Sequence, residues 1–450
     1  MVKHNQFIVR NDLPQVVVLN IEPEGAVFPL AGKEQVTVFD DFTSAPVTIK
    51  LTTSDAGDPI LSLNEDFQRD PRTNKVNLSI GVYFDDAGRL PVMSAVQAVE
   101  ASLLQTVSPR SYLPMAGHTG YRDAAQALVF GANHDARLAG RIATLQTLGG
   151  SGALKVAADF LHRHLPASQI WISDPSWENH RVVFEGAGIT VNSYPYYDPD
   201  TGGLRFDAMR DAIDALPERS VVLLHACCHN PTGVDLDRSQ WAELIPVLQR
   251  RKLIAFVDMA YQGFGDGLEE DAACVRQLAD AGVPLIVASS FSKNFSLYGE
   301  RCGALSVVCR DAEQAQRVLG QLTFAIRSNY SSPPTHGAKL VAGVLSDASL
   351  RAAWENELAT MRQRIKAMRG KIHGGLAGHV DEVLRERYQS QVGMFTYTGL
   401  SEQQVDRLRD EHAIYLLRSG RMCVAGLNQQ NVDYVASAIA SVAANPGAKE

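Results

Sequence analysis

A lone lysine, Lys293, stands in the serine-rich stretch Ser289-Ser290-Phe291-Ser292-Lys293-Asn294-Phe295-Ser296, directly after the apolar run Val283 to Ala288. Arg301 follows, and then a second strand-like run from Gly303 to Val308. A loop just past a buried strand is a poor place for lysine unless its amine serves as a nucleophile or a phosphate ligand. Other chemistry-bearing residues follow the ends of strand-like runs in the same way: Trp177, Asn230, and Asp258 with Tyr261. One amine, one carboxylate, one phenol, one amide and one planar aromatic converge. The set suits a Schiff base between Lys293 and a flat, phosphate-bearing aldehyde.

The elements that must position these residues alternate. Strand-like runs cover Gln169 to Ser173, Ile189 to Tyr194, Val221 to Cys228, Leu253 to Met259, Leu285 to Ser290 and Ala304 to Cys309, with helix-like segments between several of them. Alternation of this kind predicts a mainly parallel sheet covered on both faces. Such sheets bind ligands beyond the carboxyl ends of their strands. The glycine-rich stretch Leu148-Gly149-Gly150-Ser151-Gly152-Ala153-Leu154 opens a helix whose positions Leu154, Ala157, Leu161 and Leu165 share one face. Glycines at a helix start let the backbone approach an anion, where free N–H groups and the positive end of the dipole favour phosphate.

Residues 1–55 carry only short apolar runs, at Val16 to Leu19, Gln35 to Phe39 and Thr48 to Leu51; this weak patterning suits a few short strands but reads rather as a poorly ordered or adventitious leader. Asn77 to Tyr83 reads as a short strand broken by Gly81, and Tyr121 to Val129 as a helix. From Asp347 the period changes: Leu350, Trp354, Leu358, Met361, Ile365, Met368 and Ile372 predict one long amphipathic helix whose stripe is core packing. A strand at 393–397, a capping box at Ser401 and Gln404, a strand at 418–424 and a last helix at 431–442 complete a smaller α/β unit. The expected organisation is an extension at 1–55, an arm and part of the small domain at 56–90, a large domain at 91–345 and a small domain at 346–450.

A chain of 450 residues with 45% hydrophobic and 20% charged residues is long enough for several domains. A formal net charge of -8 argues against nucleic-acid binding, which needs a basic face. The six cysteines fit neither a zinc site nor a disulfide framework, so no metal is expected and the thiols read as reduced. No apolar run reaches the roughly 18 residues of a spanning helix, and the opening residues lack a charged-then-apolar signal pattern. The expectation is a soluble cytoplasmic protein with no membrane partner.

Five motifs, in order and at the right spacing, carry a resemblance that covers about residues 57–445. They are Leu148 to Leu154, His229-Asn230-Pro231-Thr232-Gly233, Asp258-Met259-Ala260-Tyr261-Gln262-Gly263-Phe264, Ser290-Phe291-Ser292-Lys293 and Ser419-Gly420-Arg421. The chain resembles the class I aminotransferases of fold type I, which depend on pyridoxal 5'-phosphate. Asn77 to Gly81, Tyr112 to Met115, Asn329 to Pro334 and Arg421 to Asn428 look closer to the bacterial aromatic (tyrosine) branch than to the aspartate branch. The resemblance implies an α/β fold with a mainly parallel seven-stranded sheet plus a smaller α/β domain. It also implies a homodimer with shared active sites, acting on small amino-acid and 2-oxo-acid substrates.

Residue by residue, the resemblance implies that Lys293 holds the aldehyde and then moves the proton between substrate Cα and cofactor C4′. Asp258 would pair with the pyridine nitrogen and keep it protonated, so that the ring draws electrons. Tyr261 and Asn230 would hydrogen-bond the phenolic oxygen, and Trp177 would stack on the ring. Gly150, Ser151, Ser290 and Arg301, with Tyr112 of the other subunit, would hold the phosphate, and Ser292 is a further contact. Arg421 would clamp the substrate α-carboxylate, Gly81 would pass its backbone close by, and Arg327 from the other subunit would meet a distal carboxylate. An aromatic substrate offers Arg327 no charge, and a buried unpaired guanidinium is costly, so this arginine has to swing away or be neutralised.

Two departures stand out: Cys302 where the family usually has an aliphatic residue, and Ser332 in place of the asparagine of the aspartate branch. The first 55 residues match nothing in the family. The expected activity is transfer of the amino group of tyrosine, phenylalanine or aspartate to 2-oxoglutarate. Its rivals are a strict aspartate aminotransferase and, in another class, a ligand-sensing regulator, which lacks support in any basic helix-turn-helix pattern.

Overall fold

The computed structural model describes residues 27–28, 35–39, 46–51, 59–105, 109 and 111–444. The chain separates into two compact units, residues 1–71 and 72–450. In the first, Val27–Phe28, Gln35–Phe39 and Pro46–Leu51 form a three-stranded sheet, and a helix spans Pro59–Arg69. The apolar runs at 35–39 and 48–51 thus form strands, the lesser of the two readings of this segment, whereas Val16 to Leu19 lies outside the described residues.

The second unit is built on a seven-stranded sheet: β1 (Ile142–Leu148), β2 (Ile170–Asp174), β3 (Val191–Pro195), β4 (Val221–His225), β5 (Ile254–Met259), β6 (Leu285–Ser290) and β7 (Cys302–Val308), in the order β1-β7-β6-β5-β4-β2-β3. All neighbours are parallel except at β7, which runs antiparallel to both β6 and β1. The reversal follows from the Lys293 loop, which turns straight back from β6 into β7 without a crossover helix.

The strands are apolar on both faces, as parallel strands must be when helices cover both sides. Val222, Leu224, Ala255, Val257, Leu285 and Val287 pack into one cluster with Met209, Trp241, Leu244 and Leu278 of covering helices. The intervening Leu223, Phe256, Ile286 and Ala288 point the other way, into a cluster with Leu154, Ala157, Leu161, Phe184, Leu322 and Ile326. Those residues belong to α1 (Gly149–His164), α2 (Glu178–Glu185) and α3 (Ala312–Asn329).

Towards the C-terminus, α4 (Ala348–Gly375) runs 28 residues, and its predicted stripe from Trp354 to Ile372 is buried. Asp347 caps it, accepting from the Ser349 and Leu350 amides. The predicted capping box at Ser401 and Gln404 is formed. The two strands expected there are shorter than read: β8 (Phe395–Tyr397) pairs antiparallel with β9 (Arg421–Cys423). The strand read at Asn77 to Tyr83 is a larger correction. Only Val76–Asn77 is extended and paired, with Ile414–Tyr415, because the chain leaves the sheet at Ser79 to pass Gly81 along the cleft. Strand β1 is absent from the sequence reading, since Thr144, Gln146 and Thr147 among its apolar residues hide a strand that is buried from Ile142 to Thr147.

Candidate active site

Lys293 lies in the turn between β6 and β7, beside the carboxyl end of β5, which supplies Asp258. Its Nζ stands 5.1 Å from the Tyr261 ring centroid. Removal from water pushes the amine down to about 8; Asp258 pulls upward, while Arg301 and Arg421 push further down. A lysine held there is still mostly protonated at pH 7 but frees its amine above about pH 8, well below the ordinary lysine range, as a nucleophilic amine requires.

Asp258 accepts from His180 Nε2 at 2.9 Å. Burial raises its carboxyl, but the hydrogen bond and charge of His180, with a lesser contribution from Lys293, outweigh this and hold it below the ordinary range. Asp258 is thus an ionised carboxylate at the cleft floor, suited to keeping a facing heterocyclic nitrogen protonated. Burial pushes the Tyr261 phenol far above its ordinary range, so it stays a neutral hydrogen-bond donor.

Where three strand ends meet, backbone amides, serine hydroxyls and a guanidinium gather into a cradle of donors that can hold an anion. Helix α1 begins at Gly149, with a φ of +67°, and the amides of its first turn have no intrahelical acceptors. A Cβ at Gly149 would lie 2.6 Å from Arg301 Nη2, and one at Gly150 would lie 3.3 Å from Ser290 Cβ, so this approach depends on glycine. Arg301 donates to Ser292 Oγ at 3.3 Å and to the Tyr298 carbonyl at 2.9 Å, and its guanidinium is otherwise open to solvent. Ser290, Ser292 and Arg301 converge on the start of α1, beside Gly150 and Ser151.

Arg421 closes the opposite side. It is 1% exposed, and donates to Asn230 Oδ1 at 3.2 Å and to the Ser79 carbonyl at 2.8 Å. Its Nε is buried without a partner. A buried guanidinium with an unfilled donor and no carboxylate partner among the described residues is costly on its own, and a small carboxylate arriving in the cleft would supply the missing acceptor in bidentate geometry.

The sequence model of the family described as "Aminotransferase class I and II" matches residues 73–439. This chain belongs to that family. It is 55% identical over 393 residues to the tyrosine aminotransferase of Klebsiella pneumoniae, a match covering 86% of this chain and 98% of that one. It is 49% identical over 385 residues to an aspartate aminotransferase of Pseudomonas aeruginosa, covering 86% and 97%. Among solved structures, an aromatic amino acid aminotransferase from Burkholderia cenocepacia superposes with a TM-score of 0.84 at 66% identity, covering 86% of this chain and 97% of that one. The aromatic-amino-acid aminotransferase of Burkholderia pseudomallei, solved covalently bound to pyridoxal phosphate, gives 0.84 at 49% identity, covering 87% and 98%.

Within this aminotransferase, Trp177 caps α2 at the cleft, its ring edge-on to His180 at 5.2 Å. Tyr112 is 94% exposed, and Arg327, near the end of α3, is exposed and donates to Ser331 Oγ at 2.5 Å. Neither joins the cluster around Lys293 within one chain.

Sequence reading missed the residues behind Asp258. His180 accepts or donates at Nδ1 to Ser176 Oγ, 2.9 Å away. His225 packs edge-on against His180 at 5.2 Å and lies tilted against His229 at 4.1 Å. Burial, then His180, pushes His225 down to about 3, so it is neutral. His180 lies one helical turn beyond Trp177, and His225 ends β4 in direct register with Asp258, a relation that only the folded sheet reveals. Cys227, Cys228 and Asp271 bring ligand-type atoms within 4.8 Å of one another. The Asp271 carboxylate, however, accepts from the amides of Gly263, Gly265, Asp266 and Gly267 and serves as a loop brace.

Proposed function

We propose that this aminotransferase moves the amino group of tyrosine, phenylalanine or aspartate to 2-oxoglutarate by a ping-pong route with pyridoxal 5'-phosphate. The carrying observation is the buried Arg421, held by Asn230 and the Ser79 carbonyl with its Nε unfilled, across the cleft from Lys293 and Asp258. The residues fit the cofactor: an amine poised near neutrality, an ionised carboxylate beyond it, and a glycine-built helix start beside a serine pair and an arginine.

When bound, the cofactor supplies a carbonyl carbon that takes up the amino group and a ring that delocalises the electron pair left at substrate Cα. Gly150, Ser151, Ser290 and Arg301 would hold the phosphate, with Ser292 orienting Arg301. Asp258, bonded to His180, would keep a proton on the ring nitrogen. Tyr261 and Asn230 would donate to the phenolic oxygen, and Trp177 would stack on the ring. Arg421 orients the α-carboxylate, and Gly81 passes its own backbone close to the substrate. Lys293 Nζ takes the proton from substrate Cα.

We further propose a homodimer in which Tyr112 and Arg327 complete the partner's site; the exposure of both, with Leu104 84% and Phe324 51% exposed, supports this. Division of residues 72–450 into a large domain to 345 and a small domain from 346, with residues up to 90 contributing to the latter, rests on the pairing of Val76–Asn77 with Ile414–Tyr415. Among the described residues no helix is long and apolar enough to cross a membrane, and all six cysteines are free and buried, which supports a reducing cytoplasm.

The test measures kcat/KM for phenylalanine and aspartate with 2-oxoglutarate, in wild type and Lys293→Ala. Comparable values and a loss of about four orders of magnitude in the variant are expected. A phenylalanine value more than about a thousandfold below aspartate (roughly 4 kcal/mol) would establish the strict aspartate reading instead.

A further inference from the structure

The ring of Phe395, 2% exposed, meets three parts of the cleft at once. The Arg421 guanidinium carbon lies 4.6 Å from its centroid. The Tyr261 ring meets it edge to face, 5.8 Å away at 90°. A Cβ built on Gly81 would stand 2.8 Å from Phe395 Cζ, so the ring tip fills the space that any side chain at residue 81 would need. The carboxylate clamp, the phenol and the close-passing backbone therefore share one aromatic support.

That support is itself fixed. Strand β8 pairs Phe395 with Cys423 and Tyr397 with Arg421, on either side of Met422. From α4, Arg369 reaches in, 3% exposed. It donates to the Gly393 carbonyl at 2.8 Å, the Phe395 carbonyl at 2.5 Å and Thr396 Oγ1 at 2.6 Å. Its acceptors are carbonyl and hydroxyl oxygens, and burial pushes its guanidinium down to about 10. Burying a cation against dipoles alone is expensive unless its hydrogen bonds are made. Here Nη1 and Nη2 bond to the Gly393 and Phe395 carbonyls and the Thr396 hydroxyl while Nε has no partner among the described residues, and these bonds around Phe395 tie the ring's position to the long helix.

We propose that Phe395 is a positioning residue: its face orients Arg421 for the substrate α-carboxylate and its edge fixes the Tyr261 phenol, which couples the carboxylate clamp to the cofactor's phenolic oxygen. The proposal rests on the transaminase reading above. A desolvated guanidinium–aromatic contact is worth about 2 kcal/mol, or about 30-fold in affinity. Leucine fills much of the same volume but offers no π face, so it separates support of Arg421 from mere filling of space.

The experiment uses full-length Phe395→Leu loaded with pyridoxal phosphate, beside wild type. Dissociation constants are read for two unreactive carboxylates, 3-phenylpropanoate and succinate. Both are expected to rise about 30-fold, by the same factor, because the clamp serves the carboxylate common to all substrates. KM should rise more than kcat falls, and the pH midpoint of the visible absorbance of the Lys293-bound cofactor should move as Tyr261 loses its support. A folded variant with both constants within about twofold of wild type and an unmoved midpoint overturns the proposal. If Phe395→Leu does not fold, the same readings on Phe395→Met decide, and failure of both to fold assigns the ring to packing alone and also overturns it. A wild type that exchanges no amino group with glutamate sinks the transaminase reading; an active wild type beside an unchanged variant sinks only the role of Phe395.

Discussion

The anion cradle and the carboxylate clamp each present an arginine to the same cleft, but they are built in opposite ways. Arg301 is largely open to solvent and surrounded by groups from three neighbouring strand ends: the start of α1 after β1, the serines after β6, and itself at the start of β7. Arg421 is buried and held by Ser79, whose carbonyl lies 342 positions earlier in the chain, with Phe395 beneath it. The cradle is mostly backbone, so glycines and a helix start make it. The clamp is mostly side chain, so its geometry needs support from several separate elements. A hydrated cation can adjust to its ligand, whereas a buried one must be placed beforehand, because each unfilled donor costs stability.

The largest break in this comparison comes at the clamp. Arg421→Ala removes a charge-assisted pair made out of water and should raise KM for every amino acid and oxo acid by about 100-fold or more (roughly 3 kcal/mol). Cofactor content, read from visible absorbance, should not change; loss of cofactor instead would mean the two regions are not separate. The converse test is smaller. Arg301→Ala should weaken cofactor binding by about tenfold to a hundredfold (roughly 1.5–3 kcal/mol, a hydrogen bond to a charged group), measured by equilibrium dialysis, while KM at saturating cofactor stays within about threefold. Equal losses in both quantities would merge the two sites into one.

The third prediction sharpens how the regions jointly act on Lys293, which faces Arg301, Arg421 and Asp258. Its amine titrates near 8, below the ordinary value, so it is protonated and unreactive below that pH and free above it. Capture of an aldehyde by the cofactor-free protein, trapped by borohydride and counted by mass, should rise about tenfold per pH unit up to 8 and then level off. Arg421→Ala removes one depressing charge, so the midpoint should move upward. A midpoint near the ordinary lysine value in wild type would contradict the desolvated geometry.

The difference between the two regions also decides how much could be read beforehand. The cradle was legible because Gly149 to Gly152, Ser290 to Lys293 and Arg301 lie within short motifs, each set by a single strand-to-loop transition. Lys293, Asp258 and Arg421 were equally visible as residue types with a chemical purpose. The sheet was legible in its parallel strands, but β1 escaped because polar residues on a buried strand break the apolar signal. His180, His225 and Phe395 escaped for a different reason. They touch no ligand in the sequence motif sense and act by packing or bonding to residues that do, and such contacts have no local signature.

The sequence by itself determined the reactive inventory and the alternation of elements: an amine after a strand, glycines at a helix start, an ionisable carboxylate at a strand end, and a long amphipathic helix. These are properties of neighbouring residues, governed by backbone sterics and hydrophobic period. Only the tertiary structure decided which nitrogen of Arg421 remains unfilled, that His180 holds Asp258 ionised, and that Arg369 anchors the strand under Phe395. Those outcomes depend on burial and on contacts across hundreds of residues, and the strength of a charge or a hydrogen bond is set by what surrounds it in space.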